Sequence, residues 1–498
     1  MNASRPIPFP VAFLISHKMD TTNPVKVMKA FLPKVPIIGK TALYHTLGLC
    51  ETSKQRDLRT ELIVTLIRSF IVTPSPDPIS KIQHISIKDP GIKGKIWVSK
   101  VTMPKPKEDS IRQALFKAIE ALKEPNAGPG GYKEPELLPV EAEWTGYRAE
   151  ATKTSPELRI PEEQKYIELM KEITSPITVL YFHGGAHYLL DPASHRPTTK
   201  KLAQLTKGRC FSVRYRLSPQ NPFPAALLDC LVSYFTLLYP TPSSFHTAVK
   251  PEHIVFSGDS AGGNLCMALL QTLLEFRRQN LRIRWNGEDR EAPLPAGVSC
   301  NSPWMDITHS LPSYETNAKY DYLPARSANP RGPEFPPCPI WPADPPRRNI
   351  YAEDAVLCHP LVSPLVAKSW EGSCPLWVGT GQELLSDEGI YVAMKMARQG
   401  VKVIFDEFEA MPHCFAMIMP NLENSRKCFD LWSGFIKAAV EDPESIKTRG
   451  LRYNAKTLEA TEVDVLTMSP FTDEEVIMRM KKRVVEMSAA QPDTLAKL

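Results

Sequence analysis

The sequence predicts a doubly wound, mostly parallel α/β sheet, and three observations carry that reading. From residue 177 to residue 440, short β-branched and aromatic runs alternate with longer helical runs, the pattern of strands joined by crossover helices. The stretch Gly258-Asp259-Ser260-Ala261-Gly262-Gly263 falls between one such strand and one such helix. His183-Gly184-Gly185-Ala186 follows directly on the first parallel strand. In sheets of this kind, ligands bind outside the carboxyl ends of the strands, which is where both stretches stand.

Composition bounds the rest. A chain of 498 residues has room for two average domains, or one large α/β domain with additions. Hydrophobic content of 43% and charge of 23% are those of a globular protein. The net charge of +5 is small, and no dense Lys/Arg block interleaves with aromatics, so nucleic acid is not an expected partner. The ten cysteines show no paired, zinc-type spacing. They read as free thiols of a reducing, cytoplasmic compartment, with no metal or cofactor expected. Val11 to Ile15 is too short for a signal-peptide core and has no small-residue cleavage site after it. No run reaches about 18 apolar residues, so no spanning helix is expected.

In chain order, residues 1–75 form an N-terminal addition. Leu58, Leu62, Ile63, Leu66, Ile67, Phe70 and Ile71 make one apolar stripe on a helix. This helix reads as part of a cap packed on the main domain. The alternative is an interfacial helix giving peripheral contact with an intracellular membrane, and the apolar, lysine-dotted stretch Val25 to Leu49 suits either role. Residues 73–78 read as a proline-rich linker. The main domain, residues 80–445, opens with strands at 82–87, 95–101 and 140–147, a helix at 110–122 and a loop at 126–131. The parallel strands follow at 177–182, 210–213, 254–256, 296–300, 376–378 and 401–405. The helices between and after them lie at 224–238, 265–276, 385–399 and 425–440. Residues 313–360 break the alternation, with nine prolines between Pro324 and Pro346, and read as an excursion over the site rather than an idle surface loop. Residues 446–498 read as a charged tail with a helix at 473–487.

The chemistry is carried by few residues. Gly-x-Ser-x-Gly between a strand and a helix is a nucleophile elbow, although a Gly-rich turn with a structural serine has the same short pattern. It makes Ser260 the candidate nucleophile. The N–H groups of Gly184, Gly185 and Ala261 are the expected oxyanion donors. A serine needs a base, and the base needs an orienting acid. His413, after the last parallel strand, is the base expected from the order nucleophile, acid, histidine. The acid should follow the preceding strand, where Glu383 lies in the loop and Asp387 one turn into the helix. Glu383 is the expected acid and Asp387 its rival, an acidic helix start being commonly a dipole-compensating residue.

These motifs resemble those of the hormone-sensitive lipase family of α/β-hydrolases, the esterases with the Gly-Asp-x-Gly signature. The resemblance covers about residues 175 to 440. It rests on Tyr181 to Ala186, Tyr215-Arg216-Leu217-Ser218-Pro219, Pro222-Phe223-Pro224-Ala225-Ala226, Gly258 to Gly263, Ser363-Pro364-Leu365 and His413-x-Phe415. It implies an α/β-hydrolase fold with a helical N-terminal cap and a Pro-rich insertion. It also implies Ser260 as nucleophile, His413 as base and a small or medium apolar ester as substrate, the class that includes natural-product and steryl esters. The family's usual acid motif is Asp-Pro-Leu-x-Asp; Glu383-Leu384-Leu385-Ser386-Asp387 stands there, so Glu383 falls on the acid position. The long additions are similar to those of the enlarged fungal branch. An amidase or lactone hydrolase with the same triad, and a non-catalytic ligand receptor on the same fold, are the competing classes. Such a receptor normally lacks the histidine, which is present here. The sequence leaves the oligomeric state open.

Overall fold

The parallel strands assemble side by side in a computed structural model that describes residue 28 and residues 31–73, 76–124, 131–328, 335–344 and 347–489. In chain order the strands are β1 (Ile96–Met103), β2 (Val140–Tyr147), β3 (Thr178–Phe182), β4 (Arg209–Arg214), β5 (Ile254–Asp259), β6 (Ile283–Trp285), β7 (Glu288–Arg290), β8 (Gly297–Asn301), β9 (Leu376–Gly381), β10 (Val403–Phe408), β11 (Arg449–Tyr453) and β12 (Ala460–Val463). The helices are α1 (Val35–Thr46), α2 (Leu58–Ile71), α3 (Ile79–Ser86), α4 (Ser110–Leu122), α5 (Glu162–Lys171), α6 (Pro192–Thr206), α7 (Ala225–Leu238), α8 (Ala261–Arg278), α9 (Ser313–Thr316), α10 (Ser386–Arg398), α11 (Phe415–Ile418), α12 (Glu423–Glu441) and α13 (Asp473–Ala489). Ten strands form one sheet in the order β1-β2-β4-β3-β5-β8-β9-β10-β11-β12, and β6 and β7 form a separate hairpin. Neighbours from β4 to β11 are parallel, and the edges are antiparallel.

The winding reverses at β3, which has β4 on one side and β5 on the other. The register pairs Phe182 with Gly258 and Asp259 with Asn301. The loops leaving β3, β5 and β8 therefore meet at one point of the carboxyl edge. Strands β3 and β5 are buried throughout, which is why they read as continuous apolar runs rather than alternating ones. Helix α8 is buried from Ala261 to Phe276. Its buried polar residues donate inward: Asn264 to the carbonyls of Trp304 and Val362 (both 2.9 Å), Gln271 to Ser369 (2.6 Å) and Thr272 to Ala268 (2.8 Å).

Three expectations change. Residues 82–87 are not a strand. Helix α3 covers them, burying Ile79, Gln83 and Ser86 at i, i+4 and i+7. The isoleucines at 82, 85 and 87 fit both periods, and Gln83 settles the matter by donating to the carbonyls of Tyr188 and Ser218 (both 2.9 Å). The sheet also continues past residue 445. Strand β11 is charged rather than apolar, and it is held at the edge by Arg449 on Asp406 (2.8 Å) and Arg452 on Glu407 (2.6 Å). Helix α6 carries prolines at 192 and 197, which hid it. Pro192 sits in the first turn, where its missing N–H costs nothing, behind an Asp191 cap. Parts of the proposed 73–78 linker, the 126–131 loop and the Pro-rich excursion, and all of Val11 to Ile15, lie outside the described residues.

Helix α2 is N-capped by Asp57, whose Oδ1 accepts from the Thr60 N–H at 2.7 Å, and it buries Thr60, Val64, Ile67 and Phe70. Of the expected apolar stripe, Ile67 and Phe70 are buried and Ile63 and Leu66 pack beside them, whereas Leu58 and Leu62 are only half-buried and Ile71 is exposed. Helix α13 ties down the C-terminal segment through Asp473, which accepts from Lys395 at 2.6 Å.

The elbow is the tightest backbone contact at the switch point. A Cβ on Gly262 would lie 1.9 Å from the Phe182 carbonyl oxygen. Gly262→Ala should therefore destabilise the protein by about 3 kcal/mol, measured by chemical denaturation. Gly287→Ala, at a glycine with open space around it but φ of +80°, should cost only about 1 kcal/mol.

Candidate active site

Ser260 stands between β5 and α8 at φ 52°, ψ −120°. Such a conformation costs a residue with a Cβ on the order of 1–3 kcal/mol and persists only when its surroundings over-determine it. They do so here. The Ser260 N–H donates to the Asn301 carbonyl (3.1 Å), and its own carbonyl accepts from the N–H groups of Trp304 and Asn264 (both 3.1 Å). The backbone is fixed on both sides and the half-buried side chain projects from the turn. The N–H of Ala261 opens an 18-residue helix, so it is one of the unpaired donors at the positive end of the dipole.

Asp259 organises the floor. Its Oδ1 accepts from Tyr181 Oη (2.6 Å) and from the Gly184 N–H (3.2 Å), and lies 3.3 Å from His195 Nε2. Burial opposes charge on both groups. The His195 imidazole nonetheless holds the Asp259 carboxyl below its ordinary value, and the carboxylate in turn raises His195. This corrects the expected set of oxyanion donors. The Gly184 N–H is turned down to Asp259, and a Cβ there would lie 2.3 Å from Oδ2. Gly185 and Ala186 follow with φ of 109° and 53°, which turns the chain back over the Ser260 edge. Their N–H groups make no hydrogen bond among the described residues, and both are half-buried. The donors left available are Gly185, Ala186 and Ala261. The motif itself placed the loop; which of its N–H groups was already spent depended on Asp259.

His413 Nδ1 lies 2.9 Å from Glu383 Oε1, and both side chains are buried. Asp387 faces elsewhere: its Oδ2 accepts from the Ser313 N–H at 2.8 Å. Glu383 Oε2 accepts from Ser302 Oγ (2.7 Å) and the Gly381 N–H (3.2 Å), and Ser302 Oγ also accepts from the Cys414 N–H (3.0 Å). The extra methylene of glutamate is thus taken up by a carboxylate held on both oxygens. His413 Nε2 lies 3.5 Å from Cys414 Sγ. Burial disfavours the imidazolium, but the Cys414 sulfur and the Glu383 carboxylate beside it raise His413 well above its ordinary value. The carboxylate carries the effect, because burial holds the Cys414 thiol protonated, up to about 11.

Asp321, which no sequence pattern marked, locks the base loop to the acid loop. Its Oδ1 accepts from the N–H groups of His413 (3.4 Å) and Leu323 (3.2 Å), and its Oδ2 from that of Leu384 (2.9 Å). The cap grips the same segment. Arg56 donates to the carbonyls of Tyr320 (2.8 Å), Lys319 (2.7 Å) and Ala410 (3.4 Å). Arg68 donates to those of Ala318 (2.7 Å) and Asp321 (3.0 Å). On the other side, Tyr351 from the excursion stacks on His187 at 3.6 Å, against the loop that carries Gly185 and Ala186. Among the described residues, no group of three or more His, Cys, Asp or Glu is placed to hold a metal ion.

Comparison with known proteins agrees with this fold. Residues 179–417 match a family described as having the alpha/beta hydrolase fold. An acetyl-hydrolase of Streptomyces hygroscopicus is 28% identical over 264 residues, 53% of this chain and 76% of that protein. An esterase of Acinetobacter venetianus is 28% identical over 276 residues, 55% of this chain and 76% of that protein. The hormone-sensitive lipase of Homo sapiens is 36% identical over 91 residues, 18% of this chain and 8% of that protein. A crystal structure of an esterase mutant, 21% identical, superposes with a TM-score of 0.50 over 76% of this chain and 97% of that one, a likeness of fold. Fold and relatives together define the class, a carboxylesterase-like α/β-hydrolase. Within that class the chain is similar, over 91 residues, to hormone-sensitive lipase.

The two carboxylates make different predictions. Glu383→Gln should lower kcat by roughly 10³–10⁴, on the scale of an orienting acid, whereas Asp387→Asn should cost less than about tenfold. The pH profile supplies a second readout. Below its inflection His413 is protonated and cannot accept a proton, so kcat/KM falls as pH falls. In wild type the inflection should lie above the ordinary imidazole value of 6.5. Removing the carboxylate in Glu383→Gln should move it down.

Proposed function

We propose that this carboxylic ester hydrolase works through an acyl-enzyme on Ser260, with His413 as general base and acid and Glu383 as the group that orients it. The observation that carries the reading is the strained elbow at Ser260, at the point where the winding of the sheet reverses. Strain of this kind is held at a cost and concentrates at reacting centres. The His413–Glu383 pair is delivered to the same edge by the loops after β10 and β9.

In the first step Ser260 Oγ attacks the ester carbonyl carbon and passes its proton to His413 Nε2. The negative charge moves to the carbonyl oxygen, facing the N–H groups of Gly185, Ala186 and Ala261. Collapse breaks the bond to the alcohol oxygen, which takes the proton from Nε2. A water then gives a proton to the same nitrogen and attacks the acyl carbon, releasing the acid and restoring Ser260. The Ser260 hydroxyl makes no hydrogen bond among the described residues; in serine hydrolases this contact often tightens only around substrate. Glu383 keeps the Nδ1 proton in place throughout.

We infer a small or medium apolar ester. An acetyl-hydrolase among the relatives favours a short acyl group, and the aromatic side chains of Tyr351 and Trp304 flank His187 of the oxyanion loop.

A p-nitrophenyl ester series from acetate to palmitate tests this. Turnover should peak at the short end, and Ser260→Ala should lose a factor of roughly 10⁴ or more. Retention of most of the activity by Ser260→Ala, or absence of fluorophosphonate labelling on wild type, would remove Ser260 from the mechanism.

A further inference from the structure

Helix α1 leaves an apolar face exposed. Its inner side meets the α2 region through Phe31, whose ring lies 5.9 Å from that of Phe70, through Lys34, which donates to the Ser69 carbonyl at 2.6 Å, and through His45, whose Nε2 lies 3.1 Å from the Arg56 carbonyl. At about 100° per residue these positions share one side of a helix. The opposite side carries Leu32, Leu43, Tyr44 and Leu47, all exposed, with Leu43 at 59% and Leu47 at 61%. No residue of α1 is buried. Phe31 and Ile38 are half-buried on the inner side, and the leucines of the outer side form a second apolar face, turned toward something other than the protein's own core.

The charge of the segment says what that is. Residues 21–50 contain four lysines (Lys26, Lys29, Lys34 and Lys40) and no carboxylate; Lys34 is turned inward to the Ser69 carbonyl, which leaves the other three for an outside surface. Lys40 stands in the middle of the outward face, its ammonium over the Tyr44 ring at 5.4 Å. Lysines flanking leucines, with no acid among them, suit an anionic lipid surface: the apolar side chains enter the acyl boundary while the lysine stems bring their charges to the headgroups. A protein partner would face the same leucines without needing this one-sided charge. No helix among the described residues is long and apolar enough to cross a membrane, so α1 would lie in the surface.

We propose that α1 docks this protein on an anionic lipid surface. The interfacial element is α1 and not α2, whose Val64, Ile67 and Phe70 are spent on the main domain. Because α2 is bolted to residues 318–321 beside the site, docking sets the site next to the surface and supplies it with esters dissolved in lipid. That last consequence rests on the ester-hydrolase reading; the docking itself does not.

The test is co-sedimentation of the full-length chain with phosphatidylcholine vesicles, with and without phosphatidylserine. Wild type and Ser260→Ala should both sediment with phosphatidylserine-containing vesicles and be released by high salt. The docking then stands whatever becomes of the catalytic assignment. The double variant Leu43→Glu/Leu47→Glu should bind at least about tenfold more weakly while hydrolysing p-nitrophenyl acetate as wild type does, which shows that it is folded. The proposal is overturned if wild type stays in the supernatant, if the double variant binds equally well, or if pure phosphatidylcholine serves as well. A dimer of wild type on size-exclusion chromatography that the double variant abolishes would also overturn it, by making a second copy the occupant.

Discussion

The site depends on how closely the backbone of residue 262 approaches the carbonyl of Phe182. Only a residue without a side chain permits that approach, and it presses the start of α8 against the end of β3. The nucleophile turn and the oxyanion loop are consequently one packed unit. The same device recurs at the neighbouring strands. A Cβ on Gly381 would lie 2.2 Å from the Met411 carbonyl oxygen, so the acid loop and the base loop are also pressed together. Two backbone-to-backbone contacts thus define two halves of the site. Ser302 bridges them, standing one residue beyond the strand that supports Ser260 and donating to Glu383.

Around these halves the protein spends buried carboxylates as connectors. Asp259, Asp321 and Glu383 each accept from donors on different loops, and burying a carboxylate is tolerable only when its lone pairs are filled. Each therefore works as a rivet: the loops cannot separate without stranding a charge. Asp259 takes its protons from strand, loop and helix, whereas Asp321 takes all of its from backbone N–H groups and so fixes main chain directly.

Most of the parallel core was legible because each strand has to satisfy burial on both faces, and runs such as Thr178 to Phe182 leave no other reading. The elbow was legible because its glycines are sterically required. His413 and Glu383 were legible from chain order and from standing just beyond strands. What escaped notice was held by pairwise charge or by loops. Strand β11 has no apolar run: Arg449 and Arg452 pair with the neighbouring strand, and only Tyr453 is buried as a core side chain, stacked on Phe408. Asp321 lies in an aperiodic segment where spacing carries no information. Gly184 was misassigned as an oxyanion donor because a motif gives the order of the N–H groups but not which one a buried Asp259 has already taken.

The grip of Arg56 has a consequence for how the protein is made. The Tyr320 carbonyl it holds lies 264 residues further along the chain. At roughly 5–20 residues per second of synthesis, the cap emerges long before its clamp exists. During that interval the Arg56 guanidinium is unpaired from its carbonyls and the apolar stripe of α2 has nothing to cover it. The cap thus finds its place only after some 264 further residues have followed it. Until residue 320 arrives, the nascent chain presents a sticky cap segment, and shielding it falls to whatever meets it in the cell.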